Sequence, residues 1–266
     1  MAESTPASLE GIRVLDLSTP LAEATGRVFA DLGAEVIKVE PPGGCAARRT
    51  PPFERGREDD PEGSLFWRAF GLGKASVVLD LETQSDREDF LDLVRGSDVL
   101  IESSTPGEMD RLGLGYGALS AINPSLLYVS VTPFGQTGPE AHAPASDLTL
   151  AASGGLVNLQ GDRDRPPVPI GVPETSHHGA VQGAADAIMA LCSREKDGRG
   201  QHLDVSIQAA VVWTLLFAEG YPVLMGENQP GSGENRATPQ ELLPGVVVPD
   251  RAACKDGFVV MTLVLG

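Results

Sequence analysis

GIRVLDLSTPLAEATGRVFADLGAEVIKVE, Gly11 to Glu40, decides the fold. GIRVLDL has the near-continuous apolar character of a buried strand, and Leu21–Leu32 carries the three-to-four spacing of a helix. Gly33 supplies the stop, and EVIKVE (Glu35–Glu40) is a second strand. Strand, helix and strand with short connections form a βαβ unit, so the first two strands are parallel. Pro41, Pro42, Gly43 and Gly44 then end the unit, and the charged, proline-rich stretch Arg48–Gly63 reads as an exposed loop.

The alternation continues. SVVLDL (Ser76–Leu81), DVLIES and LLYVSVT (Leu126–Thr132) read as strands, separated by a polar helix over Gln84–Arg95 and a short one around Tyr116–Ile122. The implied architecture is α/β: a Rossmann-like, doubly wound, mostly parallel sheet with right-handed crossovers. From Ala180 to Cys192 the apolar positions Val181, Ala184, Ile188 and Leu191 predict a helix, with Gly179, Gly183 and Ala187 as a small-residue stripe for close packing. LDVSIQAAVVWTLLFAEG reads as a further helix despite its β-branched content, ENQPGSGENRATPQELLPG as a linker or long surface loop, and GFVVMTLVLG (Gly257–Gly266) as a strand. The expected organisation is a large domain over 1–225, with 226–266 as linker and the beginning of a smaller domain.

Composition narrows the function. The 266 residues carry a formal charge of −17 and are 41% hydrophobic, enough apolar material for a substantial core. That charge repels nucleic acid and anionic lipid, so an anionic ligand needs local lysines, arginines or helix N-termini. Three widely spaced cysteines, Cys45, Cys192 and Cys254, fit neither a disulfide framework nor a CxxC metal site. The N-terminus MAESTPASLE lacks a basic patch and an apolar h-region, and the apolar run Ala209–Ala218 is too short to span a bilayer, so the expectation is a cytoplasmic protein without membrane contact. A dinucleotide reading of the βαβ start fails at its first turn, since LSTPLAEATG has no GxGxxG and puts Glu23 where a pyrophosphate would lie. Glu40 then reads as a solvated strand end.

Five blocks in order, LEGIRVLDLS, ADLGAEVIKVEPPGG, GKASVVLDL, PGEMDRLGLGYGALSAINPSLLYVSVTPFGQTGP and REKDGRGQHLDVSIQAA, resemble the class III CoA-transferases, a group that includes formyl-CoA and carnitine CoA-transferases and the 2-methylacyl-CoA racemases. The resemblance implies CoA, carried as substrate and without a metal, moving between an acyl-CoA and a small carboxylic acid. It also implies an interlocked dimer, either a homodimer or a heterodimer with a related chain. In such enzymes an aspartate attacks the thioester, giving a mixed anhydride and then an enzyme-bound CoA thioester. That aspartate stands eighteen residues before the arginine of REKDGRGQ, which is Ser176 in GVPETSHHGAVQG (Gly171–Gly183). Ser176 reads either as an N-cap or as a nucleophile, and Glu174 is the nearest acid.

A hydrolase would need a histidine base for Ser176, yet His177 is its chain neighbour and no GxSxG elbow frames it. In the racemases a histidine and an aspartate follow GQxGP; here Ser146 replaces the histidine and Asp147 matches, as a cap of the next helix or as a catalytic acid. The CoA contacts implied by the resemblance fall on Lys38, Lys74, Thr105 and Gly135, while Thr19, Glu23, Ala24, Ser103 and Ser104 stand where the family places arginines, a glycine-proline turn or Asn-Phe-Arg-Pro.

Overall fold

The computed structural model describes residues 7–160, 166–215, 220–226 and 251–260. They divide into two compact units, one of residues Met1–Ala145 and Glu174–Ala210, the other of Ser146–Pro173 and Val211–Gly266.

The first unit holds six strands: β1 (Arg13–Leu17), β2 (Glu35–Glu40), β3 (Lys74–Val78), β4 (Val99–Glu102), β5 (Leu127–Thr132) and β6 (His202–Ser206). Their order is β3-β2-β1-β4-β5-β6, every pairing parallel. This is the doubly wound arrangement, with its topological switch point between β1 and β4. The helices are α1 (Glu23–Asp31), α2 (Leu65–Phe70), α3 (Gln84–Arg95), α4 (Glu108–Arg111), α5 (Tyr116–Ile122) and α7 (Thr175–Asp197).

One face of the sheet is covered by a cluster that includes Leu15, Leu100, Tyr128, Phe90 and Leu119. Against the other face α7 lies close, because its small-residue stripe removes the side chains that would hold it off. A Cβ on Gly183 would meet Val131 Cγ2 at 2.9 Å, and one on Gly179 would meet Ile207 Cγ1 at 2.6 Å. The arginine of REKDGRGQ has a fastening role: Arg194 pairs with Asp98 at 2.8 Å and donates to the carbonyls of Asp98 and Ser125, tying the end of α7 to the entries of β4 and β5. Gly198 ends α7 in the left-handed conformation, with φ 71°.

Two expectations need correction. HLDVS is the sixth strand and not helix; pairing with β5 satisfies its backbone, and α8 (Ile207–Thr214) begins only after it, with the Ser206 hydroxyl accepting from the Ala209 N–H at 3.2 Å. Glu40 is not solvated but buried, held by Arg48 through both carboxylate oxygens, by Ser76 and by the Cys45 N–H. Burial alone would raise its pKa; those donors outweigh burial and hold it at about 2. Arg48 is also stacked 4.1 Å over the Trp67 ring, which pins the start of the loop after β2, and Ala46–Arg49 forms a 3-10 turn; the rest of the stretch to Gly63 is the largely exposed loop expected.

The second unit contains α6 (Asp147–Ser153), the 3-10 turn Val157–Leu159, α9 (Tyr221–Met225) and the antiparallel hairpin of β7 (Arg251–Cys254) and β8 (Gly257–Val260). The linker ENQPGSGENRATPQELLPG, the end of the apolar run Ala209–Ala218, and the part of GFVVMTLVLG after Val260 lie outside the described residues.

Candidate active site

Ligands of doubly wound sheets bind outside the carboxyl ends of the strands at the switch point. Here β1 continues into Ser18 and Thr19, and β4 into Ser103 and Ser104. The two ends are stitched together, since the Thr19 N–H donates to Ser103 Oγ at 2.7 Å and their hydroxyls lie 2.8 Å apart. Thr19, Ser103 and Ser104 thus gather at this one edge. Thr105 follows Ser104, and its carbonyl accepts from the Glu108 N–H at 3.0 Å, opening α4.

Beneath the crevice sits a closed set of four charges. Lys38 on β2 and Lys74 on β3 each contact both Asp16 on β1 and Glu23 in the first turn of α1, at 2.7 to 3.2 Å. All four side chains are 0% exposed. Gly26 makes this approach practicable, because a Cβ there would fall 2.1 Å from Asp16 Oδ2. Burial alone would raise the Asp16 pKa, but the two ammonium groups hold it well below the usual carboxylate range. Glu23 moves the other way, pushed up by burial and then by the charge of Asp16. Lys38 and Lys74 are therefore brought together, but as partners of internal acids.

Glu102, which the sequence reading passed over as the end of a strand, closes β4 at the same edge. It is 2% exposed, accepts from the Ser104 N–H at 2.6 Å, and has its pKa raised by burial. Its signal was weak, since an acid at a strand end is usually solvated. Gly135 lies in the turn after β5, with φ 89°; the next N–H, of Gln136, donates to both carboxylate oxygens of Asp204 on β6 at 3.0 Å.

The start of α7 belongs to this edge as well. Thr25, in the first turn of α1, donates its hydroxyl to the Ala180 carbonyl at 3.0 Å, and Gly179 lies against Ile207 just beyond the end of β6. The cap itself differs from expectation. The helix starts at Thr175, so Glu174 is the N-cap residue and Ser176 lies inside the first turn, half-buried. The His177 and His178 N–H groups donate to the Glu174 carbonyl at 2.9 and 3.2 Å, and the His177 ring packs 5.1 Å from Phe70. Thr175, the first residue of the helix, is wholly buried. Glu174 is half-buried at this terminus.

In the second unit Asp147 is the first residue of α6, and the cap is Ser146, which exchanges hydrogen bonds with Thr149 in a capping box. Asp147 is therefore not the cap. Its place in the first turn is favourable for an acid without any catalytic duty. Among the described residues no group of three or more His, Cys, Asp or Glu side chains stands together as a metal site. No described helix is long and apolar enough to cross a membrane.

Residues 9–265 match the model of CoA-transferase family III. The chain belongs to that family. It is 41% identical over 214 residues to the acetyl-CoA:oxalate CoA-transferase of Acetobacter aceti, covering 78% of this chain and 54% of the relative. It is 36% identical over 257 residues to the succinyl-CoA:(R)-benzylsuccinate CoA-transferase subunit BbsE of Thauera aromatica, covering 96% of this chain and 59% of the relative. The crystal structure of a CAIB/BAIF family protein from Brucella suis superimposes with a TM-score of 0.84 at 32% identity, over 96% of this chain and 66% of that one. This family III chain thus spans little more than half the length of those two curated relatives.

Proposed function

We propose that the chain is the acyl-CoA-handling part of a CoA-transferase, moving CoA from an acyl-CoA to a small carboxylic acid, with Glu174 as the attacking carboxylate. The observation that carries this reading is the seat of Glu174 as N-cap of α7, the long helix whose start reaches the carboxyl edge of the sheet. A carboxylate oxygen of Glu174 attacks the thioester carbonyl, the C–S bond breaks, and CoA leaves as thiolate. The thiolate then attacks the Glu174 carbonyl of the mixed anhydride, releasing the donor acid and leaving a Glu174–CoA thioester. The acceptor carboxylate attacks the Glu174 thioester carbonyl and expels CoA thiolate, which then attacks the acceptor's carbonyl in the new anhydride, giving the acceptor's CoA thioester and freeing the Glu174 carboxylate. The N–H groups of the first turn of α7 favour the negative charge that develops at each addition.

In this reading Thr105 and Gly135 line the CoA side of the crevice, and Lys38 and Lys74 form the frame beneath it. The assembly it carries is an interlocked dimer in the cytoplasm, the large domain running to about residue 225 and a smaller one following. The test is an acyl-CoA:carboxylate exchange assay on Glu174→Gln and Ser176→Ala. Loss of a covalent nucleophile costs on the order of 10⁴- to 10⁶-fold in turnover, so Glu174→Gln is expected to be inactive and Ser176→Ala to stay within about tenfold of the parent. The reverse pattern contradicts the assignment.

A second reading has its own support. The resemblance puts Ser176 at the place of the family's aspartate, and the benzylsuccinate relative is named as a subunit. In that reading the chain keeps the fold and pairs with a sister chain that carries the acid. Purification from the native source would then bring such a partner with it, and its consistent absence speaks for the first reading.

A further inference from the structure

We infer that Ser130 is a two-way hydroxyl coupling the protonation of buried Glu102 to the tautomer of His202, so that the charge at the carboxyl edge of the sheet is read at its outer strand. The inference rests on hydrogen bonding across three strands and stands apart from the acyl-transfer reading. Glu102 on β4 and Ser130 on β5 are register partners, 2% and 1% exposed. The Ser130 hydroxyl bonds to the Glu102 carboxyl on one side and lies 2.9 Å from His202 Nε2 on the other. His202 belongs to β6, the last strand of the sheet, and is exposed. The row therefore runs from a buried acid to solvent.

A hydroxyl has one proton to donate, and this decides the coupling. With Glu102 ionised, Ser130 donates to the carboxylate and accepts from His202, whose proton then sits on Nε2. With Glu102 protonated, the carboxyl donates to Ser130, Ser130 donates to His202, and the imidazole proton sits on Nδ1. The two states interconvert with atoms in balance: His202 takes a solvent proton at Nδ1 and passes its Nε2 proton to Ser130, while Ser130 passes its own to Glu102. Two rings hold the imidazole for this. Tyr116 on α5 stacks on it with centroids 5.5 Å apart, and Tyr128 on β5 meets it edge-on at 5.3 Å.

The surroundings draw the two titrations together. Burial raises the Glu102 pKa, against the support of Ser130 and of the Ser104 N–H at 2.6 Å, and Asp204 on β6 adds repulsion. Burial lowers the His202 pKa, against the pull of Asp204 and of Asp110 on α4. The Tyr128 phenol is pushed up by burial, then by Glu102 and Asp110, so it stays neutral throughout. The exchange therefore falls in the weakly acid to neutral range. Its consequence lies at the crevice, because Glu102 closes β4 just before Ser103 and Ser104. An anion arriving at that edge favours the protonated acid and with it the Nδ1 tautomer.

Imidazole nitrogen NMR on protein labelled at its histidines separates the tautomers and tests this between about pH 5.5 and 8.5, with the His202 signals identified by their loss in His202→Gln. In Glu102→Gln the Ser104 N–H holds the amide oxygen, which leaves the NH₂ group to donate to Ser130 at every pH. Expected for the parent is a neutral ring mainly in the Nε2 form at about pH 8.5, moving towards the Nδ1 form as Glu102 takes its proton. Glu102→Gln is expected to hold the Nδ1 form throughout, and Ser130→Ala a single tautomer that pH and added Glu102→Gln leave unchanged. Ser130→Thr, which restores the hydroxyl, is expected to restore the shift. If parent and Glu102→Gln show the same tautomer at about pH 8.5, or if Ser130→Ala keeps the parent's shift, the inference is overturned. The parent and Glu102→Gln decide it between them even if Ser130→Ala does not fold, and no acyl-CoA is present, so the outcome is independent of Glu174.

Discussion

Glu40 and the lysine-carboxylate set show how single residues of this chain are tuned by what they face. For Glu40 and Asp16 burial works against the charge and neighbouring cations reverse it, whereas Glu23 stays raised by burial and by Asp16. For Glu40 the consequence is measurable as pH dependence. Its folded pKa lies below the unfolded value, so its stabilising contribution is complete above about pH 4.5 and is lost as pH falls towards about 2. Urea midpoints of the parent and Glu40→Gln are therefore expected to differ at neutral pH and to converge across that acid window. A gap that stays constant down to pH 2 would show that Arg48 does not hold a charged Glu40. At this scale much of the site was hidden from the sequence. Lys38, Lys74 and Glu23 were visible as residues that matter, but the partners that neutralise the lysines lie 15 to 58 positions away along the chain. Only the parallel register of three strands brings them together.

At the level of elements the packing of α7 and the loading of glycines decide what the helices tolerate. Gly183 and Gly117 both lie inside helices and give opposite expectations. An alanine at Gly183 would press on Val131 in a central strand, whereas at Gly117, exposed on α5, nothing lies within 4 Å. Overpacking typically costs about 1–3 kcal/mol and Ala gains about 1 kcal/mol over Gly in a helix. Gly183→Ala is thus expected to lower stability by about 1 kcal/mol in urea titration, and Gly117→Ala to raise it by up to about 1 kcal/mol. Stabilisation by both would mean that α7 does not sit closely on β5.

The elements were also the most legible part of the chain. The strand-helix alternation marked β1, β2, β4 and β5 almost to the residue and β3 within a few, and Gln84–Arg95 and Tyr116–Ile122 are helices with those bounds. β6 was missed because HLDVS runs without a break into the apolar start of α8, and no turn residue separates them. The cap of α7 was missed because Thr175 and Ser176, both favoured cap types, lie inside the helix, while Glu174 takes the N-cap position without a side-chain cap hydrogen bond.

For the whole molecule, the fold places at one sheet edge the stitched ends of β1 and β4, a neutralised set of four buried charges beneath them, and the start of α7 with its acid. The chain keeps the family III scaffold, and under the proposed function its chemistry turns on the carboxylate of Glu174 at that helix start. Trapping measures this directly: incubation with an acyl-CoA, then hydroxylamine, then peptide mass spectrometry. The account predicts a hydroxamate on the peptide carrying Glu174 and at that residue. An unmodified Glu174 under turnover conditions, or a hydroxamate on another acid, would contradict it.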